Sequence, residues 1–157
     1  MDNFANTNWN LSVAGVLIHD GSVLLARHTY GSGQNMLVFP GGYLLKGESP
    51  QQAIIREFKE ETSVTVHPGD ILGIRFGEDN WYAVFRVDYV SGKPKSDHNE
   101  NSEVLWVEAM EALEREDVPE LTKSMIRAAF CGVGGLQQDD YHGKGSLYSS
   151  IGDYVPF

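Results

Sequence analysis

The sequence predicts an α+β fold built as one domain, with antiparallel strands and helices inserted between them. Three observations lead there. Apolar, β-branched segments flank the dipeptide Asp20-Gly21, a strongly marked helix start lies at Ser49, and further strands from Ile71 onward give way to helical patterning beyond Val107. The 157 residues supply one sizeable core and are too few for two ordinary domains. At 41% hydrophobic and 22% charged residues the composition is that of a globular chain, so the bulk of it should fold.

Leu11 to His19 reads as a strand, Asp20-Gly21 as a tight hairpin turn and Ser22 to Arg27 as the returning strand. Residues 30–36 form a loop, Leu37 to Phe39 is a short apolar run, and Pro40-Gly41-Gly42 should end it. Ser49 is a good N-cap, Pro50 suits the first helical position and Gln52 completes a capping box, so a helix is expected to about Thr62. Strands follow at Ile71 to Phe76 and Trp81 to Val90, split by the turn residues Gly77 to Asn80. After a charged loop from Ser91 to Ser102, Val104 to Val107 reads as a short strand, and Glu108 to Arg115 and Pro119 to Phe130 as helices.

The domain so defined covers residues 11–130, preceded by a polar segment, 1–10. The tail, 131–157, holds six glycines but also Tyr141, Tyr148, Tyr154 and Phe157. A disordered or loosely docked extension is the preferred reading over a functional flap, because chain ends are commonly poorly tied down.

No apolar run approaches the length of a membrane span, and the Asn-rich start lacks the basic and apolar parts of a secretory signal. A cytoplasmic protein with no membrane partner is the expectation. Cys131 is the only cysteine, which excludes an intramolecular disulfide and a cysteine-built zinc cage. The net charge of −10 argues against a nucleic acid polymer as partner. A phosphate ligand must then be met locally, by clustered arginines or lysines or by divalent cations.

On the helix opened by Ser49, Glu57, Glu60 and Glu61 stand at i, i+3 and i+4, within about 100° of arc. Ile54, Ile55 and Phe58 occupy an adjacent arc that can pack on a sheet. Glu57 and Glu61 repel each other, and a hard cation such as Mg²⁺, which takes carboxylate oxygens and completes its shell with water and phosphate, would relieve this. For a helix without further context, a solvated acidic face would be the ordinary reading.

The context is the spacing Gly42, five residues, Glu48, seven residues, then Arg56-Glu57-Phe58-Lys59-Glu60-Glu61-Thr62-Ser63-Val64. This resembles the Nudix box, G-x5-E-x7-R-E-U-x-E-E-x-G-U, with Ser63 in place of the usual glycine. The departure bears on the helix exit, where glycine normally takes a left-handed conformation, so strain or a different exit is expected there. The resemblance implies an α/β/α sandwich with a mixed sheet. It also implies Glu57, Glu60 and Glu61 as ligands of Mg²⁺ (or Mn²⁺), Gly42 beside them, and Arg56 orienting a glutamate, with Glu48 and Glu57 as candidate partners. Glu60 or Glu61 could act as general base, as could a downstream glutamate. Glu100 and Glu103 are the positions to examine, and Glu103 joins Arg56, Glu57, Glu60 and Glu61 as a catalytic candidate.

Recognition of the rest of a substrate must come from outside the box. Gly41 allows close backbone approach, Tyr30, Trp81 and Tyr82 could stack on a base, and Arg27, Arg75 and Arg86 could meet phosphate. Trp81 and Tyr82 are consecutive on a strand, so one of them should face the core. The implied reaction is metal-dependent hydrolysis of the pyrophosphate bond in a small nucleotide, a nucleoside diphosphate linked to another moiety such as ADP-ribose or a sugar nucleotide. The loop from Gly31 to Met36 and the aromatic tail, which could frame a longer ligand, favour this class. A nucleoside triphosphate pyrophosphohydrolase and a non-catalytic nucleotide sensor are the alternatives, and a homodimer is compatible with the sequence.

Overall fold

The computed structural model describes residues 10–130, 135–138, 140–143 and 147–149. Residues 1–9 of the polar segment and the tail residues Cys131, Tyr154 and Phe157 therefore lie outside the described residues. Strand β1 (Asn10–His19) turns through Asp20 and Gly21, both with positive φ, into β2 (Ser22–His28). That is the expected hairpin, with the left-handed pair such a two-residue turn requires.

β1 organises the sheet. It pairs in parallel with β6 (Asn80–Ser91) from Asn10 to Leu17 and antiparallel with β4 (Gly41–Tyr43) on its other side. Its last residues pair with β2, which continues to β3 (Leu37–Val38) and β7 (Asn101–Glu108). β5 (Thr65–Phe76) pairs antiparallel with β6 and lies at the end of the strand order.

Helices cover both faces, which makes the molecule an α/β/α sandwich on a mixed sheet. α1 (Pro50–Thr62) packs Ala53, Ile54 and Phe58 against Val13, Leu17, Leu24, Phe85 and Val87. α2 (Ala109–Glu114) and α3 (Glu120–Phe130) close the other face, where Ala112, Ile126 and Ala129 meet Ala14, Val16, Val23, Leu25 and Val84. β1 is apolar on both sides because it is covered on both, as a strand inside such a sandwich must be. Among the described residues no helix is long and apolar enough to cross a membrane.

Three differences from expectation have physical causes. Pro40-Gly41-Gly42 ends β3, yet Gly41 to Tyr43 immediately re-enters the sheet beside β1. β5 begins at Thr65 and runs through Pro68-Gly69-Asp70, because register shifts between Pro68 and Gly73 let an edge strand absorb residues that would break a central one. The described part of the tail is docked. Leu136 exchanges two backbone hydrogen bonds with Ile71 at 2.6 and 3.2 Å, the Gly135 N–H donates to Asp70, and Tyr148 sets its ring edge against Phe85. β8 (Gln137–Gln138) and β9 (Tyr148–Ser149) pair with each other beyond this contact.

Candidate functional site

α1 is the platform of the site, and its start follows the sequence: the Ser49 hydroxyl accepts from the Gln52 N–H while the Gln52 side chain accepts from the Ser49 N–H. Its exit is left-handed, with Ser63 at φ 63° and its N–H donating to the Lys59 carbonyl. The strain expected of a serine is carried there, and the exit is of the glycine type all the same.

The three helix glutamates separate. Glu57 and Glu61 lie about 40° apart around the axis and turn inward beneath β4, whereas Glu60 lies about 60° to the other side of Glu57 and is exposed. Ile55, expected to pack, is 40% exposed for the same angular reason. Glu57 sits so close to Gly42 that a Cβ there would stand 2.5 Å from its Oε1, so any larger residue would have to displace the Glu57 carboxylate. Glu61 accepts from the Gly41 N–H at 3.2 Å.

Arg56 ties this face together. It grips both oxygens of Glu48 at 2.7 and 3.0 Å, donates to Glu57 at 2.7 Å and to Glu60 at 3.2 Å, and reaches the Tyr43 carbonyl. Both candidate partners of the arginine are thus engaged. Glu48 is held below the usual carboxylate range by its contact with Arg56.

Glu100, in the loop before β7, completes the constellation: one oxygen from each of Glu57, Glu61 and Glu100 lies within 4.8 Å of the others. Glu103 lies elsewhere, paired with Arg27 at 2.5 Å on the outside of the sheet. Asn101, which sequence reasoning did not single out, is buried and donates to the backbone carbonyl of Glu61 at 2.9 Å, locking the Glu100 loop to the end of α1. Burial, reinforced by Glu57 and Glu100, pushes Glu61 up to about 9. Burial also raises Glu57, against the opposing pull of Arg56. Carboxylates crowded together with so little compensating charge form a donor set suited to a hard divalent cation.

Glu57 and Glu100 form part of the wall of a cleft of about 430 Å³. Gly41, Gly42, Tyr30 and the loop residues Gly31 to Gly33 line it, as do Arg75 and Tyr82. Tyr30 stacks parallel to His28, with centroids 5.8 Å apart. Two substrate candidates fall outside the lining. Arg27 is occupied by Glu103, Asp117 and the Asn35 carbonyl, and Trp81 packs edge-on against Phe76. Arg86 is likewise taken up, by Asp70 and the Ala129 carbonyl.

The NUDIX domain profile matches residues 9–128, most of the chain and all of this site. The chain belongs to the Nudix family. An NAD-capped RNA hydrolase, NudC, of Vibrio atlanticus is 30% identical over 115 residues, which cover 69% of this chain and 40% of that protein. An ADP-ribose pyrophosphatase of Methanocaldococcus jannaschii is 27% identical over 92 residues, 55% of this chain and 54% of that one. The Nudix chain therefore spans about half the length of these relatives or less. Among solved structures, a NUDIX hydrolase from Nitrosomonas europaea has a TM-score of 0.71 at 17% identity, covering 82% of this chain and 76% of its own. MutT NUDIX hydrolase from Burkholderia pseudomallei has a TM-score of 0.68 at 17% identity, covering 76% and 96%. These structures share the fold.

Proposed function

We propose that the chain is a divalent-metal-dependent pyrophosphohydrolase acting on a nucleoside diphosphate linked to a second moiety. The observation that carries this reading is the trio Glu57, Glu61 and Glu100, of which Glu57 and Glu100 line the cleft. These three would hold the cation, Mg²⁺ or Mn²⁺, with the Gly42 backbone beside them, while Glu60 stays exposed on Arg56. Bound there, the cation would set positive charge against the diphosphate and stabilise the charge that develops on phosphorus.

The protein's own part is positioning. Arg56 holds Glu57 and Glu48 in place, the Gly41 N–H fixes one oxygen of Glu61, and Asn101 anchors the loop that carries Glu100. Glu100 is the group we assign to take the proton of the attacking water, since it faces the cleft and is not occupied by an arginine. Tyr30 offers a flat face to a base or sugar at the cleft mouth. The names of the two relatives, one acting on NAD-capped RNA and one on ADP-ribose, favour the linked-diphosphate class. The net charge of −10 favours a small nucleotide over an RNA chain.

The test is phosphate release, with a coupled phosphatase, from ADP-ribose, sugar nucleotides, dinucleoside polyphosphates and nucleoside triphosphates, with Mg²⁺, Mn²⁺ or chelator. Turnover of a linked diphosphate that chelator abolishes and Glu61→Gln reduces at least 100-fold is the expected result. Preferential turnover of triphosphates would move the chain to the other enzymatic class. Binding without turnover would make it a sensor.

A further inference from the structure

The chain has six arginines, and five are neutralised internally. Arg27, Arg56, Arg86, Arg115 and Arg127 each pair with a carboxylate. Arg75 has no ion pair among the described residues, although Glu78 and Asp79 follow it in the adjoining turn. Its guanidinium carbon lies 5.6 Å from the centre of the Tyr82 ring, and both residues line the cleft. Among the residues lining that cleft it is the one arginine or lysine. His28, the other basic side chain there, is shifted below its usual range by burial, against the opposing pull of Glu100.

The sheet register places Arg75 relative to the carboxylates. Tyr43 pairs with Ser12, Ser12 with Tyr82, and Tyr82 with Arg75, so one row crosses β4, β1, β6 and β5. All four residues line the cleft. Three strand steps of about 4.8 Å put the Arg75 backbone about 14 Å from the strand that carries Gly42 and Tyr43. The cleft is therefore polarised along its length, with crowded carboxylates at one end and an uncompensated guanidinium at the other. One face of that guanidinium is covered by Tyr82, which leaves its edge N–H groups as a fork matched to an oxyanion.

We infer that Arg75, backed by Tyr82, binds a terminal phosphate of the substrate that lies outside the hydrolysed diphosphate, so that preferred substrates carry a third phosphate. The inference rests on the chain being a pyrophosphohydrolase, of linked diphosphates or of triphosphates, and names a further phosphate that its preferred substrates carry. That phosphate has two possible sources, a monoester on a ribose hydroxyl or the end of a polyphosphate. Two pairs separate them: ADP-ribose against its 2′-phosphate, and ADP against ATP. In one pair the wild type should favour the more phosphorylated member at least tenfold in kcat/KM. Arg75→Gln should remove that preference, chiefly through KM, and Arg75→Lys should restore part of it.

A binding measurement keeps this separate from catalysis. By calorimetry without metal, the wild type should bind adenosine 2′,5′-bisphosphate or ATP at least tenfold more tightly than AMP or ADP respectively, and Arg75→Gln should bind both members of the pair alike. Hydrolysis with no preference for a third phosphate, or a preference that survives Arg75→Gln, overturns the inference and leaves the enzyme reading standing. No hydrolysis, with the binding difference present and lost in Arg75→Gln, overturns the enzyme reading and leaves Arg75 as a phosphate-binding residue of a nucleotide-binding cleft.

Discussion

Glu100 and Glu103 stand three residues apart and serve opposite ends of one strand junction. The register between β2 and β7 shifts here, since Arg27 faces Glu103 while the next residue, His28, faces Asn101. The irregularity moves Asn101 into the interior and brings Glu100 to Glu57 and Glu61, while Glu103 stays on the strand opposite Arg27. A period-2 pattern read from the sequence cannot place residues across such a shift, which is why the sequence points to Glu103 where the structure brings Glu100 to the carboxylates. Glu100→Gln should lower kcat by roughly 100- to 10,000-fold, the range of a general base. Glu103→Gln should stay within about threefold of the wild type, because the change acts on an exposed ion pair. Steady-state kinetics on the best substrate of the panel checks both, and the reverse ranking would hand the role to Glu103.

At the scale of elements, α1 was legible end to end because its signals are local: a capping box, a proline at the first turn and an apolar arc. β4 and the first half of β5 were not, because Pro40-Gly41-Gly42 and Pro68-Gly69-Asp70 read as breakers. Only the neighbouring strands, β1 and β6, make them sheet. The docking of the tail was equally hidden, since it depends on Ile71 and Phe85 more than sixty residues away. The helix exit offers a clean test of local strain. Ser63 holds φ 63°, a conformation that disfavours a side-chain-bearing residue by about 1–2 kcal/mol. Part of the gain from glycine is offset by its greater freedom in the unfolded chain. Ser63→Gly should therefore raise stability by about 0.5–1 kcal/mol in denaturant unfolding, with activity kept, since Ser63 touches neither the cleft nor the carboxylate trio. A loss of stability would show that the serine makes a compensating contact.

Across the whole molecule, the same crowding that suits the site to a cation should destabilise the fold when no cation is bound. In the unfolded chain Glu61 titrates near its ordinary 4.5, whereas in the folded, metal-free protein burial and its neighbours push it up to about 9. Between those values the folded chain keeps a proton that the unfolded chain releases. Its contribution to stability is thus fully present below about pH 4.5 and is lost as pH rises toward about 9. Glu57 is raised as well and acts in the same sense. His28 works the other way, because its lowered value favours the fold as pH rises through its ordinary 6.5. The range from about pH 7 to 9 therefore reports mainly on the carboxylates. One proton corresponds to at most about 1.4 kcal/mol per pH unit, and each kcal/mol to about 2–4 °C in Tm for a chain of this size. Thermal unfolding in chelator should show Tm falling by several degrees from about pH 7 to about pH 9. Mg²⁺ or Mn²⁺ should restore most of the loss, because a cation replaces the proton on these oxygens. Glu61→Gln, neutral at every pH, should raise the metal-free Tm at the alkaline end, flatten the slope and blunt the stabilisation by metal. A wild-type Tm that holds steady or rises across this range in chelator would mean that Glu61 is ionised in the folded state without a cation. The trio would then need another source of compensating charge.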